Sequence, residues 1–273
     1  MRFSANISML FTEVPFLGRF ERVARSGFGA VEFWWPPPEG LEGIEDAVRD
    51  AGLEVALLNF DAGDMPAGDR GLLSDPRRQG AFRANVPVAL ELARRLGCTR
   101  LNALVGLELP ELTRGAQLDL ARTNVAWAAD RAAEAGATIL IEAVNTFDNG
   151  PYLLSRTEQA AEFVRSVARE NVKLQYDVYQ MQRMEGNLAA TLTAHIGDIA
   201  HIQIADSPGR GHPGTGEINF DYLFRLIDDL GYEGYVGLEY KPTTATTEDS
   251  LRWLPVDARG RTGAQAPRVV VSS

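Results

Sequence analysis

Eight times along the chain, a short apolar or β-branched run is followed by a longer segment with helical periodicity. The strand-like runs lie at 3–7, 30–33, 54–59, 100–105, 139–144, 172–177, 200–205 and 235–240. Helical periodicity is centred on 15–26, 41–51, 76–96, 119–135, 157–167, 188–195, 220–230 and 248–253. Strict alternation of this kind points to a parallel sheet covered by helices. Several helical segments stop at glycine, as in RSGF, DAGL, RLGC and EAGA, where a left-handed residue ends a helix without a Cβ clash. No second compositional regime appears before about residue 255, and 273 residues suit one eight-fold barrel. The expected fold is therefore α/β, a single-domain (β/α)8 TIM barrel over 1–255. The remainder, 256–273, loses periodicity and is expected to be a mobile C-terminal tail.

Charge narrows the partners. The 27 Lys and Arg against 37 Asp and Glu leave a net charge of −10, which repels a phosphate backbone or an anionic membrane. No nucleic acid and no membrane partner is expected; a small-molecule substrate is, and a homo-oligomer stays open. Cys98 is the single cysteine and has no disulfide partner in the chain, and the first residues lack the pattern of a signal peptide. A cytoplasmic protein is expected. Cys98 itself reads as a small buried side chain, and His195 and His201 as structural residues.

Two loops after strands, 61–75 and 206–219, are longer than a connection needs. They lie on the C-terminal face of a barrel, where active sites are built, and are expected to act as lids. Each of the last four strands carries an oxygen-bearing side chain at or near that end: Glu142, Asp177, Gln203 and Glu239. Desolvating such groups is costly unless they converge on a cation. Three carboxylates and one amide form an all-oxygen set suited to Mg²⁺ or Mn²⁺. Taken singly, each could equally cap a helix or pair with an arginine.

The segments FSANISMLFTEVPF, PAGDRG, IEAVN, QYDVYQMQRMEGNL, HIQIADSPGRGHPGTGEINFDYLF and GLEYKP resemble the hydroxypyruvate isomerase family, within the xylose isomerase-like barrels. The resemblance implies a catalytic pair at Glu142 and Glu239 and metal ligands at Glu142, Asp177, Gln203 and Glu239. It implies conversion of hydroxypyruvate to tartronate semialdehyde (2-hydroxy-3-oxopropanoate), with 2-oxo-tetronate isomerase and ketose 3-epimerase as alternatives on the same scaffold. A non-catalytic sugar-acid binding protein is the alternative from another class. Where many relatives have histidine three positions after the metal aspartate, this chain has Gln180, which can donate a hydrogen bond but cannot titrate. A substrate carboxylate also needs a local cation. Arg210 and His212 come first, with Lys241 and Arg70 as further candidates, and arginine offers the better fork for two oxygens.

Overall fold

A computed structural model describes residues 1–36 and 38–260. Eight parallel strands close in sequence order: β1 (Arg2–Asn6), β2 (Ala30–Phe33), β3 (Glu54–Asn59), β4 (Arg100–Asn102), β5 (Thr138–Glu142), β6 (Val172–Asp177), β7 (Ile199–Ile204) and β8 (Tyr235–Leu238). β8 returns to β1 in the register Arg2↔Tyr235 through Ala5↔Leu238, so the sheet has no open edge. The expected (β/α)8 barrel is what the chain forms.

Alternation along each strand separates two environments. In β1, Phe3 packs edge-on against Phe224 and Trp253 in the helical layer. Its neighbour Ser4 points the other way and donates to Glu32 across the barrel interior. Covering helices include Phe16–Arg25, Ile44–Ala51, Gln79–Leu96, Arg114–Glu134, Thr157–Val167, Leu188–His195 and Phe220–Asp229. The helix-ending glycines behave as expected: Gly52 and Gly97 close their helices at φ 65° and 67°.

Two segments differ from expectation. The last helix, expected at 248–253, is a single turn, Thr247–Ser250, capped by the Thr246 side chain. Within the tail expected over 256–273, Val256–Arg259 forms a short helix with Arg259 buried. Its guanidinium donates to the carbonyls of Ser26, Leu251 and Leu254, tying the segment to the barrel's N-terminal end. The rest of the expected tail, 261–273, lies outside the described residues. Among the described residues, no helix is long and apolar enough to cross a membrane.

Candidate active site

The ends of β5, β6, β7 and β8 bring the four strand-end oxygens to one place. Glu142, Asp177 and Gln203 close or nearly close their strands, and Glu239 follows β8 directly. Register sets Glu142 beside Gln175 and Asp177 beside Gln203. All four side chains are buried. Glu142 accepts from Asn102 Nδ2 at 2.9 Å and Gln175 Nε2 at 3.1 Å. Glu239 Oε1 accepts from Trp34 Nε1 at 2.7 Å and Asn6 Nδ2 at 3.0 Å, while its other oxygen takes the Arg210 guanidinium. The same Arg210 nitrogen lies 3.6 Å from Asp177 Oδ2. Asp177 Oδ1 caps the following helical turn by accepting from the Tyr179 amide at 2.8 Å.

Below them runs a second polar tier. Glu32, fully buried on β2, accepts from Ser4 Oγ at 2.6 Å and Gln203 Nε2 at 2.7 Å and meets His201 Nε2 at 2.8 Å. Gly237 on β8 makes room for it: a Cβ there would stand 2.3 Å from Glu32 Oε2. The donation to Glu32 fixes which way the Gln203 amide faces. Its oxygen accepts from Gln175 at 2.7 Å and keeps a second lone pair.

These environments set the carboxylates apart. Burial lifts the pKa of Glu142 well above the ordinary range, and the neighbouring charges of Glu239 and Asp177 add to it. Glu239 is raised to about 7 by burial, against the pull of Arg210. Asp177 is raised by burial, again opposed by Arg210. Glu32 shows the opposite outcome. Burial works against its charge, but His201 and the hydrogen bonds from Ser4 and Gln203 outweigh that and hold it below the usual value.

The donors fit a hard divalent cation. Asp177 Oδ2 is buried and accepts no hydrogen bond, and three carboxylates crowd together with Arg210 as the charge that offsets them. Among the described residues, no three His, Cys, Asp or Glu side chains are arranged to hold a metal ion as they stand; Arg210 lies between Asp177 and Glu239 and would have to yield its place.

A cavity of about 320 Å³ opens above this floor, with Glu142, Glu239, Gln180, Arg210, Arg70 and Lys241 in its wall. Gln180 uses its oxygen to hold the Asn145 amide at 2.9 Å, leaving its Nε2 available to the cavity. His212, expected beside the substrate, does not line the cavity. Its ring sits 6.0 Å from that of Tyr240 and meets Thr243 Oγ1 at 3.3 Å. Arg210 does line it, yet its charge is already engaged by two carboxylates. Trp34 contributes a polar handle to Glu239 through its indole N–H. Cys98 is buried, as expected, and its thiol is pushed up to about 11 by that burial.

Both long loops, expected to act as lids, carry internal polar contacts. Asp206, next after β7 but one, accepts from the amides of Ser207, Gly214, Gly216 and Ile218. Gly216 is required there, since a Cβ would stand 2.0 Å from the Ser207 carbonyl oxygen. In the 61–75 loop, Asp69 pairs with Arg78 at 3.0 Å.

Comparison with known proteins agrees with this fold. Residues 20–255 match the model of the xylose isomerase-like TIM barrel family. The hydroxypyruvate isomerase of Escherichia coli is 45% identical over 255 residues, covering 93% of this chain and 98% of the relative. The 2-oxo-tetronate isomerase of Cupriavidus necator is 40% identical, covering 93% and 97%. A crystal structure from Brucella melitensis described as an AP endonuclease of family 2 superposes with a TM-score of 0.88 at 39% identity, covering 92% and 97%. The chain belongs to the hydroxypyruvate isomerase family of the xylose isomerase-like TIM barrels.

Proposed function

We propose that this isomerase interconverts hydroxypyruvate and 2-hydroxy-3-oxopropanoate, with Glu142 and Glu239 as the acid/base pair. The observation that carries the reading is the pair itself: two buried glutamates at the ends of β5 and β8, both with carboxyl pKa values raised by burial, in the wall of one cavity. A relative 45% identical to this chain, from Escherichia coli, is named hydroxypyruvate isomerase.

The reaction moves a proton between adjacent carbons. One glutamate takes a proton from the hydroxymethyl carbon, leaving an enediolate, and the other delivers a proton to the former carbonyl carbon. The hydroxyl proton passes between the two oxygens, so no atom or electron is gained from outside. The glutamates exchange roles with direction. A Mg²⁺ or Mn²⁺ ion held by Glu142, Asp177, Gln203 and Glu239 would stabilise the developing negative charge on the two oxygens as a Lewis acid. Trp34 and Asn6 hold Glu239 from one side, Asn102 and Gln175 hold Glu142 from the other, and Gln180 Nε2 offers a donor to a substrate oxygen.

A four-carbon 2-oxo-tetronate is a second reading. It is favoured by the size of the cavity, about 320 Å³, roughly ten times the share of one water in the liquid. The Cupriavidus relative has that activity.

The test is turnover of the metal-reconstituted protein on hydroxypyruvate, a 2-oxo-tetronate and a ketohexose, before and after chelation. We expect hydroxypyruvate to be isomerised, activity to vanish on chelation, and Mg²⁺ or Mn²⁺ to restore it. Full activity in stripped protein removes the metal from the reading, and preference for the ketohexose replaces the reaction by epimerisation.

A further inference from the structure

The floor of the cavity is rich in carboxylates, while its third-loop wall carries a cation of a different kind. The Arg70 guanidinium is held by three acceptors, none of them charged. Nε donates to Asn149 Oδ1 at 2.8 Å, and Nη1 donates to the carbonyls of Met65 at 2.9 Å and Asp69 at 2.7 Å. Asn149 is itself fixed, since its amide nitrogen donates to the Asn145 carbonyl at 3.1 Å. The next residue, Gly71, pins the loop against the exit of β4: its φ is 117°, and a Cβ there would stand 2.1 Å from the Leu104 carbonyl oxygen.

Among the described residues no carboxylate lies within 4.0 Å of the Arg70 nitrogens, although the chain carries 37 acidic side chains. Nη2 has no hydrogen-bond partner among them either. Neutral acceptors fix a guanidinium's direction without cancelling its charge, so the group is preorganised for an anion supplied from outside. Arg210 differs, because Glu239 and Asp177 already balance it. Lys241 also lines the cavity, but it is exposed and presents a point charge in place of a fork.

We infer that Arg70 is the receptor for the substrate's carboxylate and selects 2-oxo acids over neutral ketoses. The inference rests on the reading of the site as one for a 2-oxo acid. It directs the acid end of the substrate to the 61–75 loop and the carbonyl and hydroxymethyl end to Glu142 and Glu239.

The experiment compares Arg70→Ala and Arg70→Lys with the native protein on hydroxypyruvate and on dihydroxyacetone, in which a hydroxymethyl group replaces the carboxylate. Dihydroxyacetone is followed by turnover or by competitive inhibition. Calorimetric binding of D-glycerate, which has the carboxylate and no ketone, runs alongside. Arg70→Ala should raise the KM for hydroxypyruvate and the Kd for glycerate by roughly 10- to 100-fold, the range for a lost charge-assisted pair. kcat should stay within about threefold and dihydroxyacetone should be nearly unaffected, because the lost contact is made equally in ground and transition states. Arg70→Lys should recover part of the loss. Equal losses on both ligands would mean that Arg70 only orders the loop, and unchanged KM and Kd would place the carboxylate elsewhere; either overturns the inference. If the native protein fails to turn over hydroxypyruvate, the functional reading falls, while glycerate binding still decides the role of Arg70.

Discussion

Arg210 donates through Nη2 to Glu239 Oε2 while the same nitrogen stands 3.6 Å from Asp177 Oδ2, so one guanidinium serves two buried carboxylates. In the metal-free protein, Arg210→Gln removes the attraction that restrains both acids. Glu239 should then titrate above its native value of about 7, and Asp177 should move upward with it. Carbon-detected NMR titration of the labelled carboxyls measures this.

Glu142→Gln and Glu239→Gln should each lower kcat by about 10²–10⁴-fold or more with the fold retained. The double variant should lose little beyond either single one, because both side chains act on one enediolate. The metal-free Glu142→Gln protein should also melt at a higher temperature near neutral pH, since it replaces a carboxyl that burial holds far from its ordinary titration range. Steady-state rates and thermal melts of the four proteins check all three outcomes.

Stability of the metal-free protein should fall as pH rises from about 4.5 to about 7. Glu142, Asp177 and Glu239 have raised pKa values, so across that window the native state holds more protons than the unfolded chain. Stability therefore declines with pH, by about 3 kcal/mol from Glu239 alone, at about 1.4 kcal/mol for each pKa unit. Glu32 has the opposite sign: its lowered pKa gives stability that is present above about pH 4.5 and lost as pH falls through its native value. Urea titrations at a series of pH values should trace both limbs, and a bound divalent cation should flatten the upper one.

Glu32 and Gly237 should be coupled. Glu32→Ala strands His201, Ser4 and Gln203 without their buried acceptor, and each unsatisfied buried polar group of this kind costs about 1–3 kcal/mol. Gly237→Ala alone should also destabilise, because its Cβ would meet Glu32 Oε2 at 2.3 Å. In the Glu32→Ala background that clash is gone, and Gly237→Ala should cost far less. A double-mutant cycle in urea measures the difference.

The barrel was legible in the chain because short apolar runs alternate with segments of helical periodicity and glycines mark several of the helix ends. Glu142, Asp177, Gln203 and Glu239 were legible for a related reason: a polar side chain that closes an apolar run is conspicuous. Glu32 was not, because in the four-residue run AVEF it reads as ordinary alternation, and its burial is decided only when β1, β2 and β7 close around it. Asn6 and Trp34 were missed as supports of Glu239 because they join it across 233 and 205 residues of sequence. Arg210 stood out as a cation near the site, but its pairing with Glu239 depends on how the seventh loop folds back. The Lys241 amide anchors that fold by donating to the Arg210 carbonyl at 2.8 Å.

The carboxylate of Asp206, which gathers four amides of the loop that follows it, has a kinetic consequence. Ordering a segment of this length costs roughly 1–2 kcal/mol of backbone entropy per residue, and here that cost is met once, during folding. A molecule entering the cavity finds this side of it already in place, and a product leaving does not wait for it to unfold. Turnover is then expected to be uncoupled from motion of the 206–219 loop, whose sequence would be selected for the shape of a wall and not for the hinges of a door.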